Sequence, residues 1–173
     1  TVAAVDLGSN SFRLQVGRVV DDQIYTLDSL KESVRLASGL TADKRLDPGS
    51  QARALEALRR FGERLGGLDK GAVRAVATNT LRVAKNAEEF LPLAEEALGF
   101  PIEVIAGHEE ARLIYLGAAH AMPRDDQDRL VVDIGGRSTE LVLGRGYDPR
   151  KVESNPLSSV LLSTRQIADG GLR

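Results

Sequence analysis

Asp6 and Asp133 each close a short apolar run, and each is followed by glycine two residues on and by serine five residues on. The likeness extends well past those three residues. Segment 5–18 (Val-Asp-Leu-Gly-Ser-Asn-Ser-Phe-Arg-Leu-Gln-Val-Gly-Arg) matches segment 132–145 (Val-Asp-Ile-Gly-Gly-Arg-Ser-Thr-Glu-Leu-Val-Leu-Gly-Arg) without a gap, at an offset of 127 residues. Seven of the 14 positions are identical: Val5/Val132, Asp6/Asp133, Gly8/Gly135, Ser11/Ser138, Leu14/Leu141, Gly17/Gly144 and Arg18/Arg145. Two coincidental hairpins are the alternative, but a hairpin needs only alternation and a turn. Nothing in it calls for Asp before the turn or Ser three residues after Gly. The segments therefore read as related strand–loop–strand units opening two lobes. Their loops, Gly8-Ser9-Asn10-Ser11 and Gly135-Gly136-Arg137-Ser138, have the chemistry of an anion nest, in which successive backbone N–H groups converge on phosphate oxygens. An Asp at the strand end sets a carboxylate beside that phosphate, where it can hold Mg²⁺ directly or through water. Two facing copies would clamp a polyphosphate.

Four other residues are candidates for chemistry. Glu140 lies seven residues after Asp133 on the returning strand and brings a second carboxylate near the same loop; the alternative is a solvent-facing residue opposite a face of Thr139, Leu141 and Leu143. Glu110 shares a helical stripe with Leu113, Ile114, Gly117 and Ala121, where a carboxylate is costly without a task or a partner. Placement in a helix's first turn, where the dipole favours acids, is the simpler account. Glu109 neighbours Arg112 and His120, and a surface ion pair explains it. Arg82 follows Thr78-Asn79-Thr80-Leu81 at a strand-to-helix junction; spacing alone makes it a solvated arginine rather than a phosphate clamp. His108 and His120 read as surface or interface residues.

The elements that position these residues alternate between strand and helix, an α/β pattern. Residues 2–7 read as a strand buried on both faces until Asp6, 12–20 as a returning strand and 24–36 as one or two more. Ser50 is placed to cap a helix whose face holds Leu55, Leu58, Phe61 and Leu65. A strand over 72–77 leads into a helical region from Thr78 to Leu98, followed by a strand at 102–105 and a helix over 107–121. Residues 123–128 read as a linker between lobe I (1–122) and the opening of lobe II (129–173). In that second part 130–134 and 138–143 form strands, and 152–162 holds a third.

The 173 residues carry 23 basic and 25 acidic side chains, a formal charge of −2. That balance argues against a DNA-coating protein. The absence of cysteine excludes disulfides, thiolate zinc sites and a cysteine nucleophile, and two distant histidines make no histidine metal site. No apolar run approaches the ~20 residues that span a bilayer, and the basic n-region of a signal peptide is missing, so a soluble cytoplasmic protein is expected. Arginine supplies 18 of the 23 basic residues; this suits bidentate phosphate capture, and a GC-rich genome explains it equally. Thr1 in place of Met and Arg173 after Gly-Gly suggest a fragment.

Four segments together resemble the exopolyphosphatase/guanosine pentaphosphate phosphohydrolase (Ppx/GppA) family: Ala-Ala-Val-Asp-Leu-Gly-Ser-Asn-Ser-Phe (3–12), Ala-Thr-Asn-Thr-Leu-Arg (77–82), Gly-His-Glu-Glu-Ala-Arg-Leu-Ile-Tyr-Leu-Gly (107–117) and Val-Asp-Ile-Gly-Gly-Arg-Ser-Thr-Glu-Leu (132–141). The resemblance implies a ribonuclease H-like fold of the actin/Hsp70/sugar kinase/acetate kinase kind, with two duplicated lobes of mixed sheet flanked by helices. It implies Mg²⁺-dependent hydrolysis of a terminal phosphoanhydride in inorganic polyphosphate, or of the 5′ γ-phosphate of guanosine pentaphosphate. By position, Glu110 matches the proposed general base and Glu140 a catalytic and metal-site carboxylate. Asp6 and Asp133 match metal-site carboxylates, the loops 8–11 and 135–138 match the phosphate-binding turns, and Arg82 matches a phosphate-contacting arginine. A homodimer of the full-length protein is implied, with no DNA partner and no membrane insertion.

Arg137 stands where the family usually has a third glycine, which would cost about 1 kcal/mol or more if that position needs positive φ. Ser158 stands where glycine is usual. The sequence stops early in lobe II, before the family's Gly-Ser-Gly-Thr-like loop, so an incomplete second lobe with an unfinished sheet edge is expected. A kinase or Hsp70-like ATPase of the same fold is the alternative enzyme, although no sugar-recognition motif is present. A non-catalytic sensor of polyphosphate or guanosine pentaphosphate is the alternative of a different class.

Overall fold

The computed structural model describes residues 1–21, 23–123 and 125–156. The part of the expected strand 152–162 beyond residue 156, the Ser158 position and the remainder of 157–173 lie outside them. The chain divides into two compact units, Thr1–Val104 and Ile105–Arg173.

In the first unit, strands β1 (Val2–Leu7), β2 (Phe12–Val20), β3 (Gln23–Glu32), β4 (Val73–Ala77) and β5 (Ile102–Val104) form one sheet in the order β3-β2-β1-β4-β5. β1, β2 and β3 pair antiparallel, whereas β1–β4 and β4–β5 are parallel. Helices α1 (Pro48–Leu65), α2 (Asn79–Val83) and α3 (Ala87–Leu98) belong to the same unit. Ala3, Val5 and Leu7 of β1 and Phe12 and Leu14 of β2 pack into a core with Leu58, Phe61 and Leu65 of α1 and Phe90, Ala94 and Leu98 of α3. Only that face of β1 is buried. Val2 and Ala4 on the other face are exposed and Asp6 is half-buried, so burial on both faces, expected from an apolar strand, does not hold among the described residues.

Two helix boundaries differ from expectation. Asp47, not Ser50, caps α1: its carboxylate accepts from the Ser50 N–H at 2.8 Å and Pro48 occupies the first turn, where its missing N–H costs nothing. That hydrogen bond is the main reason the Asp47 carboxyl lies below its usual range. The helical region after Thr78 breaks at 84–86. There the Asn86 side chain accepts from Leu46 N–H at 2.8 Å and donates to Leu46 C=O at 3.1 Å, and Lys85 N–H donates to Lys44 C=O at 2.8 Å. Backbone groups 40 residues away have displaced the helical ladder.

In the second unit, β6 (Asp128–Ile134), β7 (Thr139–Arg145) and β8 (Asp148–Asn155) form an antiparallel sheet, and α4 (Gly107–Ala121) packs on it. Ala111, Tyr115 and Ala119 of α4 bury against Val142, with Val131 and Val152 alongside. The Tyr115 hydroxyl donates to Gly146 C=O at 3.1 Å. These contacts place α4 with the second sheet, in the unit that begins at Ile105. They also move the buried stripe of α4 one residue from the expected one: Glu110, Leu113 and Ile114 are half-buried, and Gly117 and Ala121 are exposed.

The sequence repeat survives as a geometric one. Asp6 pairs with Arg13 across β1–β2, and Asp133 pairs with Glu140 across β6–β7, in equivalent register. A bulge falls between Val16 and Gly17 in one unit and between Leu143 and Gly144 in the other, again 127 residues apart. The two hairpins nevertheless bury opposite faces. Ala3, Val5 and Leu7 are core, while their counterparts Leu130, Val132 and Ile134 are 64%, 48% and 60% exposed. The face that α4 covers corresponds to the open face of β1–β2.

The glycine pair at the bulges yields a contrast. A Cβ on Gly144 would come within 2.4 Å of the Tyr115 ring and 2.5 Å of the Asp148 carbonyl oxygen, whereas one on Gly17 would first meet the exposed Ile24 side chain at 2.7 Å. Gly144→Ala is expected to cost about 1–3 kcal/mol of stability by overpacking. Gly17→Ala is expected to cost less, because Ile24 can swing into solvent. Denaturant midpoints of the two variants check this ordering; equal losses would contradict it.

Candidate phosphate-binding and catalytic site

The first loop is fixed by hydrogen bonds from both sides. The carbonyls of Ser9 and Asn10 accept from Ala37 N–H at 2.9 Å and Arg35 N–H at 2.8 Å. The buried Thr80 hydroxyl donates to Ser9 Oγ at 2.8 Å, tying the loop to α2, the short helix that carries Arg82. In the sequence Thr80 is only part of a junction; a buried hydroxyl opposite a buried serine emerges only once β1 and β4 are paired. Asp6, loop 8–11 and the Arg82 helix are thus brought together within the first unit.

The second loop closes by its own backbone, with Gly135 N–H donating to Ser138 C=O at 2.8 Å. A Cβ on Gly135 would lie 3.0 Å from the Ser138 oxygen, and one on Gly8 would lie 2.9 Å from the Ser11 oxygen. Both loops therefore use glycine for the same close approach, and neither uses it for positive φ. Arg137 likewise is not among the residues at positive φ, so the expected strain does not arise. Its exposed side chain sits at the loop tip beside the half-buried Gly136.

Asp133 and Glu140 are cross-strand partners and share one face of the sheet. Glu140 is 1% exposed and Asp133 is exposed, which overturns the solvent-facing alternative for Glu140. Thr139, Leu141 and Leu143 do alternate onto the opposite face. The Ser154 hydroxyl of β8 donates to Glu140 Oε1 at 3.0 Å. Ser154, not anticipated, is the register partner of Glu140.

Glu110 stands in the first turn of α4. The bond from Tyr115 to Gly146 and the stacking of His120 on Tyr147, at 4.3 Å between centroids, fix the C-terminal half of the helix at the β7–β8 turn. The first turn therefore points away from that turn. Glu109 is taken by a two-pronged ion pair with Arg112, 2.7 and 2.8 Å, as expected, and its hydrogen bonds raise the Arg112 guanidinium above its ordinary value. Glu110 and Glu109 thus diverge within one turn.

Among the described residues no group of three or more His, Cys, Asp or Glu forms a metal site. The pair Asp133–Glu140 nonetheless fits Mg²⁺, which is held by one or two carboxylates and completes its shell with water and substrate phosphate.

A mixed sheet continued by parallel strands, a second antiparallel sheet and duplicated strand–loop–strand openings define the actin-like ATPase fold. A chain of the PilM–PilN type IV pilus biogenesis complex shares that fold at 15% identity, with a TM-score of 0.63 over 98% of this chain and 65% of that one. Residues 15–173 match the sequence model of the Ppx/GppA phosphatase family, and the chain belongs to that family. It resembles the Aquifex aeolicus PPX-GPPA enzyme (34% identity, TM-score 0.83, 95% of this chain and 55% of that one). It is similar also to an exopolyphosphatase from Cytophaga hutchinsonii (30%, TM-score 0.83, 95% and 53%). The chain spans about half the length of these relatives. No helix among the described residues is long and apolar enough to cross a membrane.

Proposed function

We propose that this chain carries the phosphate-binding loops of a phosphohydrolase that removes the terminal phosphate from inorganic polyphosphate or the 5′ γ-phosphate from guanosine pentaphosphate. The carrying observation is the duplication of one loop in which glycine allows close approach to the carbonyl of the serine three residues on, each copy following a strand-end aspartate. Family membership and the likeness to an exopolyphosphatase support hydrolysis over phosphotransfer.

Loop 8–11 with Arg82 and loop 135–138 with Arg137 would bind phosphate oxygens through backbone N–H groups and guanidinium. Asp133 and Glu140 would hold Mg²⁺, with Asp6 in the matching place beside the first loop. When bound, the ion supplies charge neutralisation at the transferring phosphoryl group. Glu110 would accept the proton of the attacking water, with Glu140 as the second catalytic carboxylate. Charge stabilisation and positioning are what phosphoryl transfer asks of a protein.

The test is Mg²⁺-dependent release of phosphate by the complete gene product from long-chain polyphosphate and from guanosine pentaphosphate. Release is expected, and the better substrate assigns the subtype. Tight binding of either with no release would overturn hydrolysis in favour of a sensor, the reading that the cation at Arg137 favours.

A further inference from the structure

The two related hairpins differ at the row that holds the strand-end aspartate. In the first unit that row, read across β1–β2–β3, is Asp6–Arg13–Lys31. In the second, read across β6–β7–β8, it is Asp133–Glu140–Ser154. Two exposed cations in one copy have become a buried carboxylate and a hydroxyl in the other. Both changes serve the same bond. Glu140, 1% exposed, accepts a hydrogen bond on Oε1 from the Ser154 hydroxyl at 3.0 Å, and Ser154 sits on the inward side of β8 together with Val152.

A carboxylate buried to this degree needs a donor, and a serine facing a covered sheet needs an acceptor. Each supplies the other's need. The bond anchors one oxygen of the carboxyl group and so fixes the direction of the other. We propose that Ser154 is a positioning residue that fixes the rotamer of Glu140 and thereby the direction in which its carboxylate is presented to the reaction. For its catalytic consequence this rests on the phosphohydrolase reading; the hydrogen bond and its orienting effect do not.

The experiment compares Ser154→Ala and Ser154→Thr in the complete gene product. Ser154→Ala is expected to lower kcat by about tenfold or more while KM moves by less than about twofold, since the lost bond is to a charged group that need not touch ground-state substrate. Ser154→Thr keeps the hydroxyl on a strand-compatible side chain and is expected to retain kcat within about threefold. A second readout uses protein labelled with ¹³C at the glutamate carboxyls, with Glu140→Gln identifying the Glu140 resonance. That resonance should move in Ser154→Ala and return in Ser154→Thr. Equal impairment of both variants, a loss confined to KM, or an unmoved resonance would overturn the proposal. If the unsubstituted protein releases no phosphate, the hydrolase reading fails and the resonance alone decides: moved and rescued, the positioning role stands; unmoved, it falls.

Discussion

Glu110→Gln is expected to lower Mg²⁺-dependent phosphate release by about 10³-fold with little change in substrate affinity. A positioned general base contributes typically 10²–10⁴-fold, and glutamine keeps the length and shape of the side chain while removing its basicity. The helix should tolerate the change, because Glu110 is half-buried and its backbone N–H already serves the first turn by donating to Ala106 C=O at 2.9 Å. Glu109→Gln is the control within the same turn. It breaks the ion pair with Arg112 at the surface, where such pairs are worth little, and is expected to change the rate by less than about threefold. Equal losses from the two substitutions would assign the effect to the helix terminus; full activity in Glu110→Gln would remove it from the mechanism.

Gly135→Ala is expected to weaken binding of a magnesium–phosphate ligand by about tenfold to a hundredfold, with the secondary structure retained. The methyl group would stand 3.0 Å from the Ser138 carbonyl oxygen, the acceptor of the bond that closes the loop. Unlike the end of a flexible side chain, that oxygen cannot swing aside, so the loop must open. Opening turns N–H groups away from the nest, and each hydrogen bond to a charged phosphate is worth about 1.5–3 kcal/mol. Gly8→Ala, with its 2.9 Å approach to Ser11, should behave likewise. Calorimetric titration with tripolyphosphate and Mg²⁺ measures both. Unaltered affinity in both variants would mean that neither loop grips phosphate.

What could be read from the sequence was local or repeated. The loops, the offset of 127 residues and the bounds of α4 all follow from residue types at fixed spacing, and the structure adds the shared bulge and the shared close approach of glycine to the serine carbonyl. What could not be read depends on partners far along the chain. The break at 84–86 comes from Leu46 and Lys44. The burial of Glu140 and the role of Ser154 depend on the β7–β8 register and on α4 lying over that face. Periodicity located the α4 stripe one residue off because leucine and isoleucine outweigh alanine in an apolar count, yet Ala111 and Ala119 flank Tyr115 where close approach to the sheet requires small side chains. The unequal burial of the two related hairpins had no sequence signal, since both carry apolar residues on the faces concerned.

Whether both loops bind phosphate is decided by following backbone amide resonances of the chain during that same titration with tripolyphosphate and Mg²⁺. The largest saturable shifts should fall on Gly8–Ser11 and Gly135–Ser138 and diminish in Gly135→Ala. Shifts that saturate elsewhere while both loops stay still would contradict phosphate binding by the loops.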